Sequence, residues 1–391
     1  MDVGLVPIIM LVGGLVCLCM LTKVGLDRLG IPAIVGYLAI GFALSALDAT
    51  GGVLGRQGRE IFEFLAKMGI IALLFHIGLE SDLRKLLAQL TLGGLIWLGN
   101  VLVAGAAGYA AAHWLLGMAW LPSLVLATAM TATSVGIPCS VWEQEGAIDT
   151  DDGQLFLDVA EMDDLSGVVF MAVLFSLVPA MQAEGGPSAW DVAQPLLLFA
   201  AKLVGFAVLC VLFSRYAERP LTTFFEKRED PPEPMLMVAG IGILIAALAG
   251  WLGFSVAVGA FFAGLVFSRD PDSVKIEGSF NAVYELFMPF FFIGVGLRMQ
   301  PGALGPAVVP ALVLFEAAVD GKLLGTTRPA RSGRPWTAAA VLGISMVPRA
   351  EITLIIAGRA LRDSGVLSQE TYSAMVLVSA LTCLGAPPLL R

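Results

Sequence analysis

Thirteen apolar runs, separated only by short polar connectors, leave this 391-residue chain few ways to fold. They cover 4–22, 31–49, 61–79, 88–113, 119–142, 154–180, 190–214, 234–251, 254–268, 280–297, 304–325, 335–358 and 371–388. A helix crosses the hydrocarbon of a bilayer with roughly 17–25 apolar residues, and most of the runs have that length. With 58% hydrophobic and 14% charged residues, the chain carries more apolar surface than a water-soluble fold of this size can bury. The sequence therefore reads as an all-α polytopic membrane protein of about thirteen spans. Its least distinct boundary lies between the eighth and ninth runs, at Trp251-Leu252-Gly253.

The distribution of Lys and Arg orients these spans. With the N-terminus outside, fourteen of the 23 basic residues fall on inner connectors and five (Arg56, Arg59, Arg298, Arg359 and Arg362) on outer ones. That is the asymmetry of the positive-inside rule. Lys67, Lys202, Lys322 and Arg349 fall within spans. An even number of spans would scramble the sorting, so an odd count and a cytoplasmic C-terminus are expected. The first run lacks a basic flank and a small-residue cleavage motif, so it reads as a retained span.

Other classes are poorly matched. A net charge of −9, with no basic patches interleaved with aromatics, argues against nucleic acid as a partner. The five cysteines (Cys17, Cys19, Cys139, Cys210 and Cys383) sit in apolar runs without CxxC spacing and read as small hydrophobes. Two histidines and no HExxH motif make a catalytic zinc improbable, and no cofactor is expected. The connectors, including Arg215–Pro234 and Arg269–Gly278, are too short to be domains. No soluble regulatory domain is expected in this chain.

The sixth run nevertheless holds four acids within seven positions: Asp158, Glu161, Asp163 and Asp164. Each ionised carboxylate in hydrocarbon costs roughly 2.5–3.5 kcal/mol on insertion scales. Such a cluster is kept for moving ions or protons far more often than for packing. Asp163 and Asp164 are adjacent, so on a helix their side chains diverge by about 100°. One can meet a cation while the other faces a watery cavity. Lys322, in the eleventh run, is the obvious counter-charge, and neighbouring carboxylates of this kind titrate as a coupled pair.

Two runs also carry mid-depth interruptions. The fifth runs from Ala127 to Pro138 through Thr131, Thr133, Ser134 and Gly136, and the twelfth runs from Gly343 through Pro348 to Glu351. Proline removes a backbone donor and clashes with the preceding turn, which breaks the helical ladder. If the chain is read as six spans, a linker span and six more, both interruptions take the fifth position of a half. An odd linker inverts the second half. Paired interrupted spans in inverted halves are the strongest sequence pointer to a secondary transporter's binding site.

The runs Thr131-Ala132-Thr133-Ser134-Val135-Gly136-Ile137, Met162-Asp163-Asp164, Gly321-Lys322-Leu323-Leu324-Gly325 and Met346-Val347-Pro348-Arg349-Ala350-Glu351 carry a family resemblance. So do Leu74-Phe75-His76-Ile77-Gly78-Leu79-Glu80 and Gly259-Ala260-Phe261-Phe262-Ala263-Gly264. In order and over nearly the whole length, the chain resembles the bacterial monovalent cation/proton antiporters. Within them it is most similar to the electrogenic Na⁺/H⁺ exchanger branch, which shares a membrane domain with Kef-type potassium efflux systems.

The resemblance implies thirteen helices in an inverted repeat, with two broken, crossing helices. The core transport domain would comprise residues 88–180 and 304–388, with 190–214 as linker and 1–87 plus 234–297 forming a dimerisation domain. It further implies a homodimer in the bacterial inner membrane, exchange of Na⁺ or Li⁺ for H⁺ by alternating access, and an elevator-like core movement. No enzymatic activity is implied. Asp164 would be the main cation and proton ligand, hence the Na⁺ site, and Asp163 the partner of Lys322. Thr131, Thr133, Ser134, Pro138 and Pro348 would mark the crossing.

Three positions depart from the family pattern. Glu161 stands where an apolar residue is usual and is a candidate third titratable group. Ala350 replaces a glycine, and His76 replaces an apolar residue. Arg349 and Glu351 flank the second interruption and read as neutralising half-helix ends, with ion contact as the alternative. Glu63 and Lys67 form an i,i+4 pair, while Glu316 and Asp320 share a helix face.

Rival readings fit less well. A Kef-type K⁺/H⁺ antiporter differs mainly in usually having Gln-Asp at the acidic pair. A cation channel would be obstructed by an Asp163–Lys322 pair. An intramembrane aspartyl protease needs two carboxylates from different helices and a Gly-x-Gly-Asp run, which is absent.

Overall fold

The computed structural model describes residues 6–80, 92–182, 189–218, 220, 233–252, 255–268 and 273–390. Of the charges used to orient the chain, Arg84, Lys85, Arg219, Lys227, Arg228, Arg269 and Arg391 lie outside the described residues. All regular structure among the described residues is helical. In chain order the helices are α1 (Val6–Asp27), α2 (Ala33–Gly51), α3 (Gly55–Glu80), α4 (Leu92–Ala110), α5 (Trp120–Thr131), α6 (Gly136–Gln144) and α7 (Asp151–Met181). There follow α8 (Ala189–Phe213), α9 (Glu233–Trp251), α10 (Val256–Phe267), α11 (Ser273–Leu297), α12 (Leu304–Ala330), α13 (Trp336–Ser345), α14 (Glu351–Arg362) and α15 (Gln369–Leu390).

Among the described residues, ten helical segments are long and apolar enough to cross a membrane, and three shorter apolar helices lie at 235–251, 256–267 and 336–345. Together they follow the order of the thirteen expected runs. The uncertain eighth and ninth spans are separate helices, α9 and α10, with Gly253 and Phe254 outside the described residues. Met10, Leu21, Leu197, Val204 and Leu244 are each more than 60% exposed to the surroundings. Helices that are apolar all round, and so little covered by protein, need lipid as their solvent. The chain is a multi-pass membrane protein.

Two compact units account for the packing. One contains residues 1–58, 86–174 and 292–391, the other 59–85 and 175–291. In the second unit the core is aromatic. Phe75 packs edge-on to Phe267 and tilted against Phe280, and Phe62 meets Phe290. Lys202, lone in its span, donates to the Leu252 carbonyl at 3.0 Å.

In the first unit α4 and α12 pack backbone to backbone. A Cβ on Gly325 would lie 2.7 Å from the Gly99 carbonyl oxygen, and one on Gly321 would lie 2.8 Å from the Ala104 Cα. Small residues permit such close approach where no hydrophobic effect drives helices together. The contact matters because Lys322 and Thr326 flank these glycines on α12 and Asn100 follows Gly99 on α4.

Both interruptions are present, in segments 132–135 between α5 and α6 and 346–350 between α13 and α14. The segments cross, and the Ser134 amide donates to the Pro348 carbonyl at 2.8 Å. One expected detail is corrected. Gly136 and Pro138 do not break the first helix; they occupy the first turn of α6, and the chain leaves helical geometry earlier, after Thr131. A proline there sacrifices a donor that the start of a helix leaves unpaired anyway. Pro348 does lie in the non-helical segment. Ala350 has φ −140°, outside the left-handed region, so its backbone does not require the family's glycine.

Replacing Gly325 with Val should push α4 and α12 apart at a cost of about 1–3 kcal/mol, the usual range for overpacking. Gly205→Ala, whose added Cβ meets nothing within 4 Å, is the control. Melting in detergent should show a lower Tm for Gly325→Val and no loss for Gly205→Ala.

Candidate functional site at the crossing of the broken helices

Where a helix stops inside a membrane, its last carbonyls lose their amide partners and its end carries a partial negative charge. Two buried cations answer that need here. Lys322 Nζ donates to the carbonyl of Thr131, the last residue of α5, at 2.6 Å. Arg349 Nη1 donates to the carbonyls of Ala132 at 2.5 Å, Met346 at 3.2 Å and Pro348 at 3.3 Å, and to Thr133 Oγ1 at 3.4 Å. One guanidinium thus stitches the ends of both first half-helices, α5 and α13. The Arg349 backbone is held in turn by α15: its amide donates to Thr382 Oγ1, and its carbonyl accepts from Ser379 Oγ at 2.6 Å. Arg349 and Lys322 are each 0% exposed.

The same lysine neutralises the acidic pair. Lys322 Nζ lies 2.6 Å from Asp163 Oδ2, with both side chains fully buried. That oxygen also accepts from Asn100 Nδ2 and from Thr133 Oγ1, each at 2.7 Å. Oδ1 of Asp163 has no hydrogen-bond partner among the described residues, nor do Nε and Nη2 of Arg349. Lys322, Asn100 and Thr133 thus converge on one oxygen of the carboxylate. Asp164, one residue on, is rotated about 100° from Asp163 and remains 7% exposed. The electrostatic reach of Lys322 extends to Asp164 as well as to Asp163 and Arg349.

The crossing therefore gathers Thr131, Thr133, Ser134, Pro348, Asp163, Asp164, Lys322 and Arg349. Glu351 opens α14 beside Ser134, where an acid suits the positive end of the helix. Glu161 is half-buried on α7, one turn before Asp164. Pro138 is buried within α6, beyond the crossing segment. His76 is not part of this cluster; it belongs to the second unit, where its ring stacks on Tyr284 with 4.4 Å between centroids. Glu316 and Asp320 are exposed, on a different face of α12 from Lys322. Glu63 and Lys67 form their expected pair at 3.4 Å. Among the described residues no group of three His, Cys, Asp or Glu side chains could hold a metal in the manner of a resident metal centre.

Asn100, Thr326, Ser379 and Thr382 were not anticipated. Asn100 could have been found, because it is the one amide side chain in the otherwise apolar α4. The hydroxyls of α12 and α15 gave no such signal, since serine and threonine are common in membrane helices and bond their own backbone.

The buried pair yields a stability prediction. Lys322→Ala leaves the Asp163 carboxylate buried and without its cation, a loss of about 3–5 kcal/mol for pairs of this kind. A marked fall in Tm is expected, together with a changed response of transport to membrane voltage. An unchanged Tm and an unchanged voltage response would count against the pair.

Comparison with known proteins agrees with this architecture. Residues 13–391 match the family model described as "Sodium/hydrogen exchanger, transmembrane". The chain is 25% identical over 366 residues to the high-affinity Na⁺/H⁺ antiporter NhaS3 of Synechocystis sp., covering 92% of this chain and 77% of that protein. It is 28% identical to the Na⁺/H⁺-K⁺ antiporter GerN of Bacillus cereus, covering 93% and 90% of the two chains, and 27% identical to an Enterococcus hirae Na⁺/H⁺ antiporter, covering 97% of each. The fold is shared with the sodium proton antiporter MjNhaP1 of Methanocaldococcus jannaschii, at a TM-score of 0.72 and 16% identity over 98% of both chains. A family match that spans nearly the whole chain, on a fold with two interrupted helices crossing beside a buried Asp–Lys pair, places this protein in the transmembrane sodium/hydrogen exchanger family.

Proposed function

We propose that the protein is a secondary active antiporter that exchanges Na⁺, or Li⁺, for H⁺ by alternating access. The observation that carries this reading is the different setting of the two adjacent aspartates, Asp163 fully buried against Lys322 and Asp164 7% exposed. Asp163 is saturated on one oxygen by Lys322, Asn100 and Thr133, which leaves Asp164 as the carboxylate able to change partner. Asp164 binds either the cation or a proton, never both. Its loading on one face of the membrane and unloading on the other couples the two gradients. Non-helical backbone at membrane depth, such as segments 132–135 and 346–350, is tolerated where it is buried or lines a cavity, which suits a path for ions.

Several related features belong to the same proposal. The helices that carry the site move together, elevator-like, while other helices form a homodimer interface. The protein resides in a bacterial inner membrane with its N-terminus outside and C-terminus in the cytoplasm. Glu161, one turn from Asp164, is a further proton-exchanging group, and Arg349 acts on the half-helix ends rather than on the ion. A K⁺/H⁺ exchanger is the second reading. It is favoured by the relatives that move potassium by name, GerN and the Kef-type KefC of Cronobacter sakazakii, the latter 28% identical over 383 residues.

The test is a vesicle pH-dequenching assay with Na⁺, Li⁺ and K⁺ in turn. Na⁺ and Li⁺ should collapse the imposed proton gradient and K⁺ should not; a response to K⁺ alone supports the second reading. A response that needs no opposing gradient would indicate a channel. Asp164→Asn should abolish exchange, and retention of half the wild-type rate would refute the ligand assignment. Because proton and cation compete for one carboxylate, the apparent KM for Na⁺ should rise about tenfold for each unit fall in pH on the acid limb.

A further inference from the structure

Helix α13 is ten residues long and stops at the second interruption, so its own backbone ladder does little to fix where that end lies. Side chains from α6 and α7 hold it at both ends. Just before its start, Arg334 Nε pairs with Asp152 Oδ1 in the first turn of α7 at 2.5 Å. At its last residue, Ser345 Oγ accepts from Trp142 Nε1 of α6 at 2.9 Å. The direction of this second bond is unambiguous, because an indole nitrogen can only donate. Ser345 Oγ donates in turn to the Val341 carbonyl at 2.9 Å, so the hydroxyl is used both ways. Trp142 is 8% exposed and Ser345 0%. The indole has little freedom of its own. It stacks on Phe156 of α7 with 5.9 Å between centroids and 4° between planes, in an apolar cluster that includes Ile96, Val159 and Leu342.

Ser345 carries the second crossing segment behind it. Met346 follows, and the Met346 carbonyl accepts from Thr133 Oγ1 at 3.3 Å and from Arg349 Nη1 at 3.2 Å. The anchored serine is therefore covalently next to a carbonyl inside the site. The other two half-helices are also bonded to each other: Thr353 Oγ1 of α14 donates to the Ala129 carbonyl of α5 at 2.8 Å. That bond satisfies a carbonyl in the last turn of a broken helix. The Trp142–Ser345 bond satisfies no such backbone group. A phenylalanine would fill the same slot against Phe156 without bringing an N–H that needs a partner. What the indole N–H adds is a fixed distance between α6 and the end of α13.

We propose that Trp142 is a positioning residue for cation selectivity: through Ser345, its N–H holds the second crossing segment at the spacing from the first that suits the preferred cation. This rests on the exchanger reading of the site. Discrimination between cations of equal charge depends on cavity size and on how rigidly the surrounding groups are held. Trp142 touches neither the cation nor the transported proton; it acts through Ser345 and the Met346 carbonyl.

The test uses proteoliposomes containing the full chain, with apparent KM and maximal rate measured for Na⁺, Li⁺ and K⁺ at one pH. A cation that is not transported is scored by its inhibition of the preferred one. Trp142→Phe keeps an aromatic ring against Phe156 and removes the N–H, and Ser345→Ala removes the acceptor. Either change should raise the apparent KM for the preferred cation about three- to tenfold, the usual worth of one hydrogen bond, and raise it less for the others. The maximal rate should change less than the KM does. The double variant should match the more impaired single variant, because both changes remove the same bond. Ser345→Ala carries the test if Trp142→Phe fails to fold. KM values unchanged in whichever variants fold, with the maximal rate falling in proportion to folded protein, would reduce the pair to packing and overturn the proposal. A KM raised equally for every cation, or additive effects in the double variant, would overturn it too. Wild-type vesicles separate the two ideas. If they show no cation-driven exchange, the exchanger reading falls and this inference with it; if they exchange normally and the variants share their KM values, only the role of Trp142 falls.

Discussion

The ammonium of Lys322 makes two contacts of 2.6 Å, one to the carboxylate of Asp163 and one to the carbonyl that ends α5, and the rest of the site depends on that double engagement. Each partner alone would be a poor tenant of the membrane interior: a buried carboxylate, a buried ammonium and a helix end with unpaired carbonyls. Brought together they satisfy one another, since a charge taken out of water is tolerated when it is paired and its remaining donors are used. The broken helix is therefore part of what satisfies the buried lysine, and the lysine is part of what lets the helix break.

Arg349 plays the same part for the second interruption. Its guanidinium spans carbonyls on both crossing segments, and its backbone is tied to α15 through Thr382 and Ser379. Two cations at the negative ends of two half-helices make the crossing electrostatically self-consistent before any ion arrives. In the proposed antiport an acidic residue changes partner beside that frame and so alters the local charge balance. That separation of fixed and exchanging charge is the physical content of the proposed antiport.

Much of this was legible in the linear chain, for reasons tied to particular residues. An acid in hydrocarbon is so costly that Asp163 and Asp164 announced themselves, and Lys322 was the only basic residue of its span. The two interruptions showed through their hydroxylated and proline-bearing segments. Less legible was where the first helix ends. Pro138 drew attention as a helix breaker, yet proline is compatible with a first turn, and the chain parts company with the helix six residues earlier, at Ala132, in a stretch of small residues. His76 looked like a departure of equal weight to Glu161, but it packs against Tyr284 in the other compact unit.

By itself the sequence determined the solvent, the approximate spans and the chemistry of the central pair, because hydropathy and burial cost are properties of residues and of short windows. Only tertiary structure decided which donors meet which oxygen. Asn100 and Asp163 are 63 positions apart, Lys322 and Thr131 are 191 apart, and Arg349 and Ala132 are 217 apart. Those meetings depend on the close approach of α4 to α12 at Gly99, Gly321 and Gly325 and on the crossing of two chain segments. Packing geometry of that kind is a property of pairs of helices, which a residue-by-residue reading cannot supply.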